Sequence, residues 1–143
     1  MGRVIAFTNQ KGGVGKTTTC INLAASLASV GRRVLLVDMD PQGNATMGSG
    51  VDKITLAHTA CDVLLGDVGI HQALVSTEHA GYRLLPGNSD LTAAEVALMQ
   101  MDTREHRLRD ALFKVQDDYD YVLVDCPPAL NILTVNSLAA ADG

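Results

Sequence analysis

The sequence is poor in aromatic side chains and contains no tryptophan: its 143 residues include three tyrosines and two phenylalanines. Large rings therefore cannot fill most of a core, and aliphatic side chains must do so. Because hydrophobic residues still make up 47% of the chain and charged residues 19%, we expect a folded globular domain. A core of Val, Leu, Ile and Ala is typical of parallel sheets that helices cover on both faces.

Cysteines are few and far apart, at Cys20, Cys61 and Cys126. Neither a CxxC pair nor a Cys/His spacing typical of a metal site occurs, so the sequence does not predict a zinc centre. Separated cysteines in odd number suit a reducing cytosol, and we expect a cytoplasmic protein. The apolar stretch at the amino terminus is too short for a signal peptide, and no segment approaches about 18 continuous apolar residues, so no membrane association is expected.

Positive charge is also scarce, since 11 Lys and Arg face 16 Asp and Glu and the formal net charge is −5. Non-specific binding to nucleic acid requires clustered Lys and Arg, and the sequence shows no such cluster. Three arginines between positions 104 and 109 are interspersed with acidic residues, which is typical of a solvated helix face. We therefore expect this chain alone to bind DNA weakly.

Short apolar runs predict the strands. Three of them lack the alternation of a half-exposed strand, which predicts burial on both faces: Val4–Phe7, Val34–Val37 and Tyr121–Val124. A weaker strand is expected at Tyr82–Leu85. Helices are expected at about 16–30, 61–65, 90–101, 103–115 and 131–141. Residues 39–58 are expected to form a long loop with little regular structure, and a loop of that length is usually functional.

The predicted order of strands and helices indicates one α/β domain over residues 1–143. Strands that alternate with helices form parallel sheets with right-handed crossovers. The sequence stops where another strand would be due, so we expect a sheet that is incomplete because the chain is truncated.

A glycine-rich segment follows the first predicted strand and opens the first predicted helix. It reads Lys11-Gly12-Gly13-Val14-Gly15-Lys16-Thr17-Thr18. Glycines let successive N–H groups curl around an anion, and the helix N-terminus adds unpaired donors and partial positive charge. Lys16 is expected to reach the β- and γ-phosphates of ATP, and the Thr17 hydroxyl to ligate Mg²⁺. The strict P-loop pattern requires glycine where this sequence has Gln10, so the match is to a variant.

Carboxylates end two of the predicted strands. Asp38 follows the second strand, with Asp40 two residues later, and Asp125 follows the last strand. Ligands of open α/β sheets bind beyond the carboxyl ends of the strands, so these acids should meet on the metal side of the nucleotide. Because Mg²⁺ keeps several waters, Asp38 and Asp125 suit an outer-shell position. The predicted magnesium residues are therefore Thr17, Asp38 and Asp125.

These motifs together resemble the ParA/MinD group of P-loop ATPases, whose deviant Walker A loop begins with an extra lysine, here Lys11. The segments 8–18 and 38–44 resemble the ParA/Soj branch of that group, and 125–128 resembles its Walker B end. The segment 85–88 also fits a recurrent family segment. The resemblance extends over the whole chain and implies a Rossmann-like P-loop fold of the SIMIBI type, of which this chain would be the N-terminal part.

The resemblance also implies a mechanism. Such proteins are slow Mg²⁺-dependent ATPases that form ATP-sandwich homodimers, in which Lys11 would reach the phosphates bound by the other protomer. Lys16 would bind phosphates in its own site, and Asp40 would position or activate the attacking water. The implied function is chromosome or plasmid partition. A ParB/Spo0J-like protein would stimulate hydrolysis, and the full-length protein would bind DNA non-specifically and associate with the nucleoid.

Three alternatives remain open at this level. A truncated chain could bind nucleotide without turnover. A MinD-like division-site regulator that cycles on membranes would need a basic amphipathic C-terminal helix, which this sequence lacks. A small-molecule ligase of the dethiobiotin synthetase type is disfavoured by the run Asp38–Asn44.

Overall fold

The computed structural model describes residues 2–8, 14–77 and 80–142, without the side chain of Val14. The five strands are β1 (Arg3–Phe7), β2 (Val34–Asp38), β3 (Val75–Ser76), β4 (Arg83–Leu85) and β5 (Tyr121–Asp125). The α-helices in the described ranges are α1 (Val14–Ser29), α2 (Asn44–Gly48), α3 (Ala60–Leu65), α4 (Ile70–Ala73), α5 (Asp90–Leu98), α6 (Arg107–Phe113) and α7 (Ile132–Ala140). Short 3₁₀ helices occur at Arg104–His106 and Gln116–Asp118.

The strands form one sheet in the order β1-β5-β2-β4-β3. Four of them run parallel, and the two-residue β3 pairs antiparallel with β4 at one edge. The structure thus confirms the predicted α/β fold with a mainly parallel sheet. Its register aligns Phe7, Asp38 and Asp125 in one row across β1, β2 and β5. The last residues of β1, β2 and β5 therefore lie side by side at the carboxyl-terminal end of the parallel strands.

The core lies on both faces of the sheet, as the non-alternating strands predict. Leu35 and Val37 of β2 pack on one face with residues of α3, α5 and α6. Val34 and Leu36 pack on the other face with Cys20 and other residues of α1. Successive side chains of a strand point to opposite faces, so a strand covered on both sides must be apolar throughout. The core is mainly aliphatic, as the shortage of aromatic residues requires, with Tyr82 and Tyr119 as its buried aromatic members.

Two helical segments differ from the predictions, and each of them makes hydrogen bonds with residues outside its own helix. The expected loop 39–58 contains the short helix α2. The expected helix 103–115 is divided into the 3₁₀ helix Arg104–His106 and α6, and His106, with φ −118° and ψ 14°, leaves helical geometry between them. Asn136 of α7 then accepts the Leu108 amide at 3.1 Å, which satisfies a donor in the first turn of α6.

Smaller differences concern the ends of elements. The helix expected to reach position 101 ends at Leu98, and β4 begins at Arg83 instead of Tyr82. The short elements α4 and β3 are absent from the sequence prediction, because four and two residues give no detectable periodicity. No helix in the described ranges combines the length and the apolar character that a bilayer crossing requires.

Candidate nucleotide-binding site

The first turns of α1 face the end of β5. Lys16 Nζ donates hydrogen bonds to Oδ1 of Asp125 and to the backbone carbonyl of Cys126. The Thr17 hydroxyl donates to the other Asp125 oxygen, Oδ2, at 3.0 Å. Residues more than 100 positions apart therefore meet, and both oxygens of Asp125 contact the two side chains that the sequence assigns to phosphate and Mg²⁺.

This group of charges is shielded from water. The side chain of Lys16 is 6% exposed and that of Asp125 is fully buried. Burial raises the pKa of Asp125. The hydrogen bond from Lys16 and its positive charge lower that pKa, and the hydrogen bond from Thr17 lowers it to a smaller extent. The nearby Asp40 carboxylate raises that pKa further, so Asp40 lies within electrostatic range of the pair. A phosphate that binds Lys16 has to compete with Asp125 for the ammonium group.

Asp38 ends the strand beside β5 and is also fully buried. Its Oδ2 accepts hydrogen bonds from the Thr46 amide at 2.9 Å and from the Thr46 hydroxyl at 2.7 Å. Its Oδ1 accepts the Asp40 amide at 3.1 Å. Burial raises the pKa of Asp38 to about 7, although the hydrogen bonds from Thr46 act in the opposite direction. All three of these donors are neutral.

Asp40 lies in the turn after β2 and is 5% exposed. Its Oδ1 accepts the Gln42 amide at 3.0 Å, and its backbone carbonyl accepts the Gly43 amide at 2.9 Å. The carboxylate therefore stabilises its own turn, as Asp does in many loops. This structural role leaves the predicted role in hydrolysis open, since the same bonds fix the position of the carboxylate near Asp125.

The donor set fits a magnesium ion in part. Mg²⁺ prefers hard oxygen ligands and binds through few protein groups, and the Thr17 hydroxyl and the Asp125 carboxylate are such groups, 3.0 Å apart. Asp38 already accepts three hydrogen bonds, which is compatible with contact through water and unfavourable for direct ligation. Within the described ranges, no three or more His, Cys, Asp and Glu residues cluster as a metal site, so waters or ligand oxygens would have to complete the coordination.

The predicted glycine loop is described only in its second half. Lys11, Gly12 and Gly13 lie outside the described residues, so their predicted contacts stay predictions. Val14 begins α1, and Gly15 and Thr18 are exposed in its first turns. The structure thus brings Lys16, Thr17, Asp38, Asp40 and Asp125 together at one end of the sheet.

Sequence reasoning missed Thr46 and Gly87. The Thr46 hydroxyl accepts the Gly87 amide at 2.9 Å, which links the loop after β4 to the end of β2. A Cβ on Gly87 would collide with the backbone carbonyl of Asp38. A threonine within a polar segment carries no periodic signal, and only the Leu85–Asn88 resemblance drew attention to the neighbourhood of Gly87.

Two cavities of several hundred Å³ lie away from the candidate site. One, of about 460 Å³, is at the amino-terminal ends of β2 and β4, opposite to Asp38, and Arg32, Arg33 and Arg83 line it. The fold thus brings Arg83 beside the consecutive pair Arg32 and Arg33. Asp118 lines the same cavity, and Asp120 accepts a hydrogen bond from the Arg33 side chain at 3.1 Å. The other cavity, of about 370 Å³, lies between the α3–α4 segment and α6 and contains none of the predicted site residues.

Comparisons with known proteins show the family of the chain. A family model described as an AAA domain matches residues 2–143. The chromosome partitioning protein ParA of Myxococcus xanthus is 56% identical over 142 residues, which are 99% of this chain and 50% of that protein. The sporulation initiation inhibitor protein Soj of Bacillus subtilis is 48% identical over 142 residues, 99% of this chain and 56% of that protein.

Solved structures of similar sequence have the same fold. A Mycobacterium smegmatis protein described as cobyrinic acid a,c-diamide synthase, with a bound ATP analogue and magnesium, superposes with a TM-score of 0.95 at 50% identity. The match covers 99% of this chain and 57% of that one. The chain therefore spans about half the length of the relatives that it matches.

Proposed function

The chain belongs to the AAA-domain family of P-loop ATPases, in its ParA/Soj group, and on that basis we propose that it is an ATP-dependent switch in chromosome or plasmid partition. The observation that carries the proposal is the contact of Lys16 and Thr17 with Asp125. A lysine and a hydroxyl at the head of a helix, facing a carboxylate at the end of a parallel strand, are the groups that a P-loop ATPase uses for phosphate and Mg²⁺.

The protein's own residues would divide the work of ATP hydrolysis. Lys16 would bind the β- and γ-phosphates, and residues 11–18 would surround them with backbone amides. Thr17 would ligate Mg²⁺, with Asp125 and Asp38 in its outer shell, and the ion would neutralise charge on the phosphate oxygens. Asp40 would position or activate the attacking water.

The finer features of the switch follow from the family. We propose an ATP-sandwich homodimer in which Lys11 reaches the phosphates bound by the other protomer, as an arginine finger does. Hydrolysis would be slow until a ParB/Spo0J-like protein stimulates it, and the whole protein would bind DNA non-specifically in the cytoplasm. The name of the Myxococcus xanthus relative supports partition as the setting, since it is called a chromosome partitioning protein.

Phosphate release by the protein of the complete reading frame tests the enzymatic part. We expect slow Mg²⁺-dependent turnover, reduced at least about 100-fold by Lys16→Ala and by Asp40→Ala, the scale on which loss of a catalytic group acts. Lys114→Ala and Asp67→Ala are matched controls, because both residues are exposed and line the cavity near α6. Normal turnover by Asp40→Ala would remove its assigned role.

A calorimetric titration with ATP separates hydrolysis from binding alone. Weak binding without turnover by this chain would favour the truncated nucleotide-binding module that the sequence left open. Absence of binding as well would contradict the proposal as a whole.

Amide synthesis is a second candidate, because the Mycobacterium smegmatis protein described as a cobyrinic acid a,c-diamide synthase is 50% identical. The same phosphate-release assay distinguishes the two functions. Turnover that depends on cobyrinic acid and an ammonia donor, and that does not respond to DNA with a ParB-like protein, would replace partition with amidation.

A further inference from the structure

Thr46 occupies the middle of α2 and is fully buried beside the candidate site. Its amide and its hydroxyl both donate to Oδ2 of Asp38, at 2.9 and 2.7 Å. Its hydroxyl oxygen accepts the Gly87 amide at 2.9 Å. One side chain thus joins three segments of the fold: the end of β2, the helix α2 and the loop after β4.

The direction of these hydrogen bonds is fixed by chemistry. The Gly87 amide can only donate, so the Thr46 oxygen must accept from it. The single hydroxyl proton of Thr46 is then directed at Asp38, whose ionised carboxylate can only accept. Because the amides of Thr46 and Asp40 can only donate, Oδ2 and Oδ1 of Asp38 each accept one backbone amide, which defines one orientation of the Asp38 carboxylate.

The orientation of the Asp38 carboxylate also affects the position of Asp40. With Oδ2 of Asp38 held by Thr46, Oδ1 is presented to the Asp40 amide at 3.1 Å. Asp40 in turn accepts the Gln42 amide and, through its carbonyl, the Gly43 amide. A continuous series of hydrogen bonds therefore leads from Thr46 through Asp38 to the turn that carries Asp40.

The packing around this turn leaves little room for another arrangement. Gly43 has a left-handed φ of 66°, and a Cβ there would approach the carbonyl oxygen of Gly87 to 2.7 Å. A Cβ on Gly87 would collide with the carbonyl of Asp38. The loop after β4 is therefore in close contact with both ends of the Asp38–Gly43 segment, and the Thr46 hydroxyl is a buried polar link between them.

We propose that Thr46 is a positioning residue for ATP hydrolysis, which holds Asp40 in place through Asp38 and through the loop at Gly87. The inference rests on the proposed function, in which Asp40 acts on the attacking water. Thr46 itself would touch neither nucleotide nor water. Its removal should therefore affect the rate of the chemical step more than the binding of ATP.

The test compares Thr46→Val with Thr46→Ser in the protein of the complete reading frame. Valine keeps the shape of threonine and lacks the hydroxyl, whereas serine keeps the hydroxyl. For Thr46→Val we expect kcat to fall about tenfold or more with KM for ATP within about twofold, on the scale of one lost hydrogen bond to a charged group. Thr46→Ser should restore kcat to within about threefold of wild type. Thr92→Val, at an exposed threonine of α5, is the matched control.

Amide hydrogen exchange without nucleotide gives an independent measurement. In Thr46→Val, the amides of Asp40, Gln42 and Gly87 should exchange about tenfold faster or more, while those of β5 keep their rates, because the link opens locally. If Thr46→Val does not fold, Thr46→Ala, which removes the hydroxyl without adding volume, is measured in the same way.

Several outcomes would overturn the inference: unchanged exchange at Asp40 and Gln42, normal kcat in Thr46→Val, equal losses in kcat and affinity, or failure of serine to rescue. Absence of ATP turnover in the wild-type protein would contradict the proposed function instead. In that case the exchange rates still decide whether Thr46 holds the Asp40 turn.

Discussion

Asp38 and Asp125 are adjacent carboxylates at the ends of two paired strands, and both are fully buried. A buried charge is unfavourable unless it is paired or hydrogen-bonded, and the two residues meet this requirement differently. Asp125 faces the ammonium group of Lys16, while the hydrogen-bond donors to Asp38 are the neutral groups of Thr46 and the Asp40 amide. Burial accordingly raises the pKa of Asp38 to about 7.

This shift predicts how stability depends on pH. Asp38 loses its proton at about pH 4 in the unfolded chain and at about pH 7 in the folded one. Between these values the folded state binds more protons, so the free energy of unfolding decreases as pH rises through this window and levels off above it. In Asp38→Asn this contribution is absent. Urea unfolding from pH 4.5 to 8, without Mg²⁺ or nucleotide, should therefore show the variant gaining stability relative to wild type, by up to about tenfold in equilibrium constant per pH unit.

A constant offset between the two proteins is expected as well, because the asparagine NH₂ cannot accept the Asp40 or Thr46 amide. The slope with pH is therefore the informative quantity. Asp67→Asn, at an exposed aspartate, is the control and should remain parallel to wild type. Parallel profiles for Asp38→Asn would contradict the raised pKa.

At the scale of elements, the site depends on how closely the loop after β4 approaches the end of β2. Gly87 lies against the carbonyl of Asp38 with no space for a side chain, and Leu91 of α5 would be 3.0 Å from an added Cβ. The Ala60 amide also donates to the carbonyl of Pro86 at 2.8 Å, which attaches α3 to the same loop. The loop is thus held between a strand and two helices.

Gly87→Ala should therefore destabilise the fold. The added methyl group has to push apart the backbone of β2 and the loop, and overpacking of this kind costs about 1–3 kcal/mol. Gly69→Ala is a matched control, because its Cβ would meet only the Gln72 side chain at 3.8 Å and its φ of −73° suits alanine. Chemical denaturation of both variants measures the difference. Equal stability of the two would show that the loop can move away from Asp38 at little cost.

At the scale of the whole molecule, the distribution of charge bears on partners. The chain has a formal net charge of −5, and the arginines that the fold gathers at the amino-terminal ends of β2 and β4 stand among acidic residues. Arg33 is paired with Asp120 at 3.1 Å, and Asp118 lines the same cavity as Arg32 and Arg83. A surface with this balance releases few counterions from DNA.

We therefore expect weak binding of this chain to duplex DNA, with a dissociation constant above about 10⁻⁴ M at physiological salt. Fluorescence anisotropy with a labelled duplex measures it, and the protein of the complete reading frame is the comparison, for which we propose tighter, salt-dependent binding. Micromolar binding by this chain that is lost in an Arg32→Ala, Arg83→Ala double variant would identify the arginine cavity as a nucleic-acid surface and contradict the expectation.

The sequence by itself determined the mainly parallel α/β fold and the buried strands, and it predicts the place of a phosphate loop. These features depend on local sequence. β2 and β5 are apolar up to their last residues, Asp38 and Asp125, because both faces are covered, and the glycine segment stands between a strand and a helix. The family followed from the same local motifs. The roles of Lys11, Gly12 and Gly13 stay predictions, because these residues lie outside the described ranges.

The sequence predicted that the three acids meet beside the phosphate loop, and only the tertiary structure decided which hydrogen bonds hold each group. The contact of Lys16 with Asp125 and that of Thr46 with Gly87 join residues 109 and 41 positions apart, and no local pattern encodes such pairings. The short helix α2 likewise depends on the bonds of Thr46 to Asp38, since five residues are too few for a helix to be stable alone. The pKa of Asp38 has the same origin, because burial in the assembled sheet is a property of the folded chain and not of the residue.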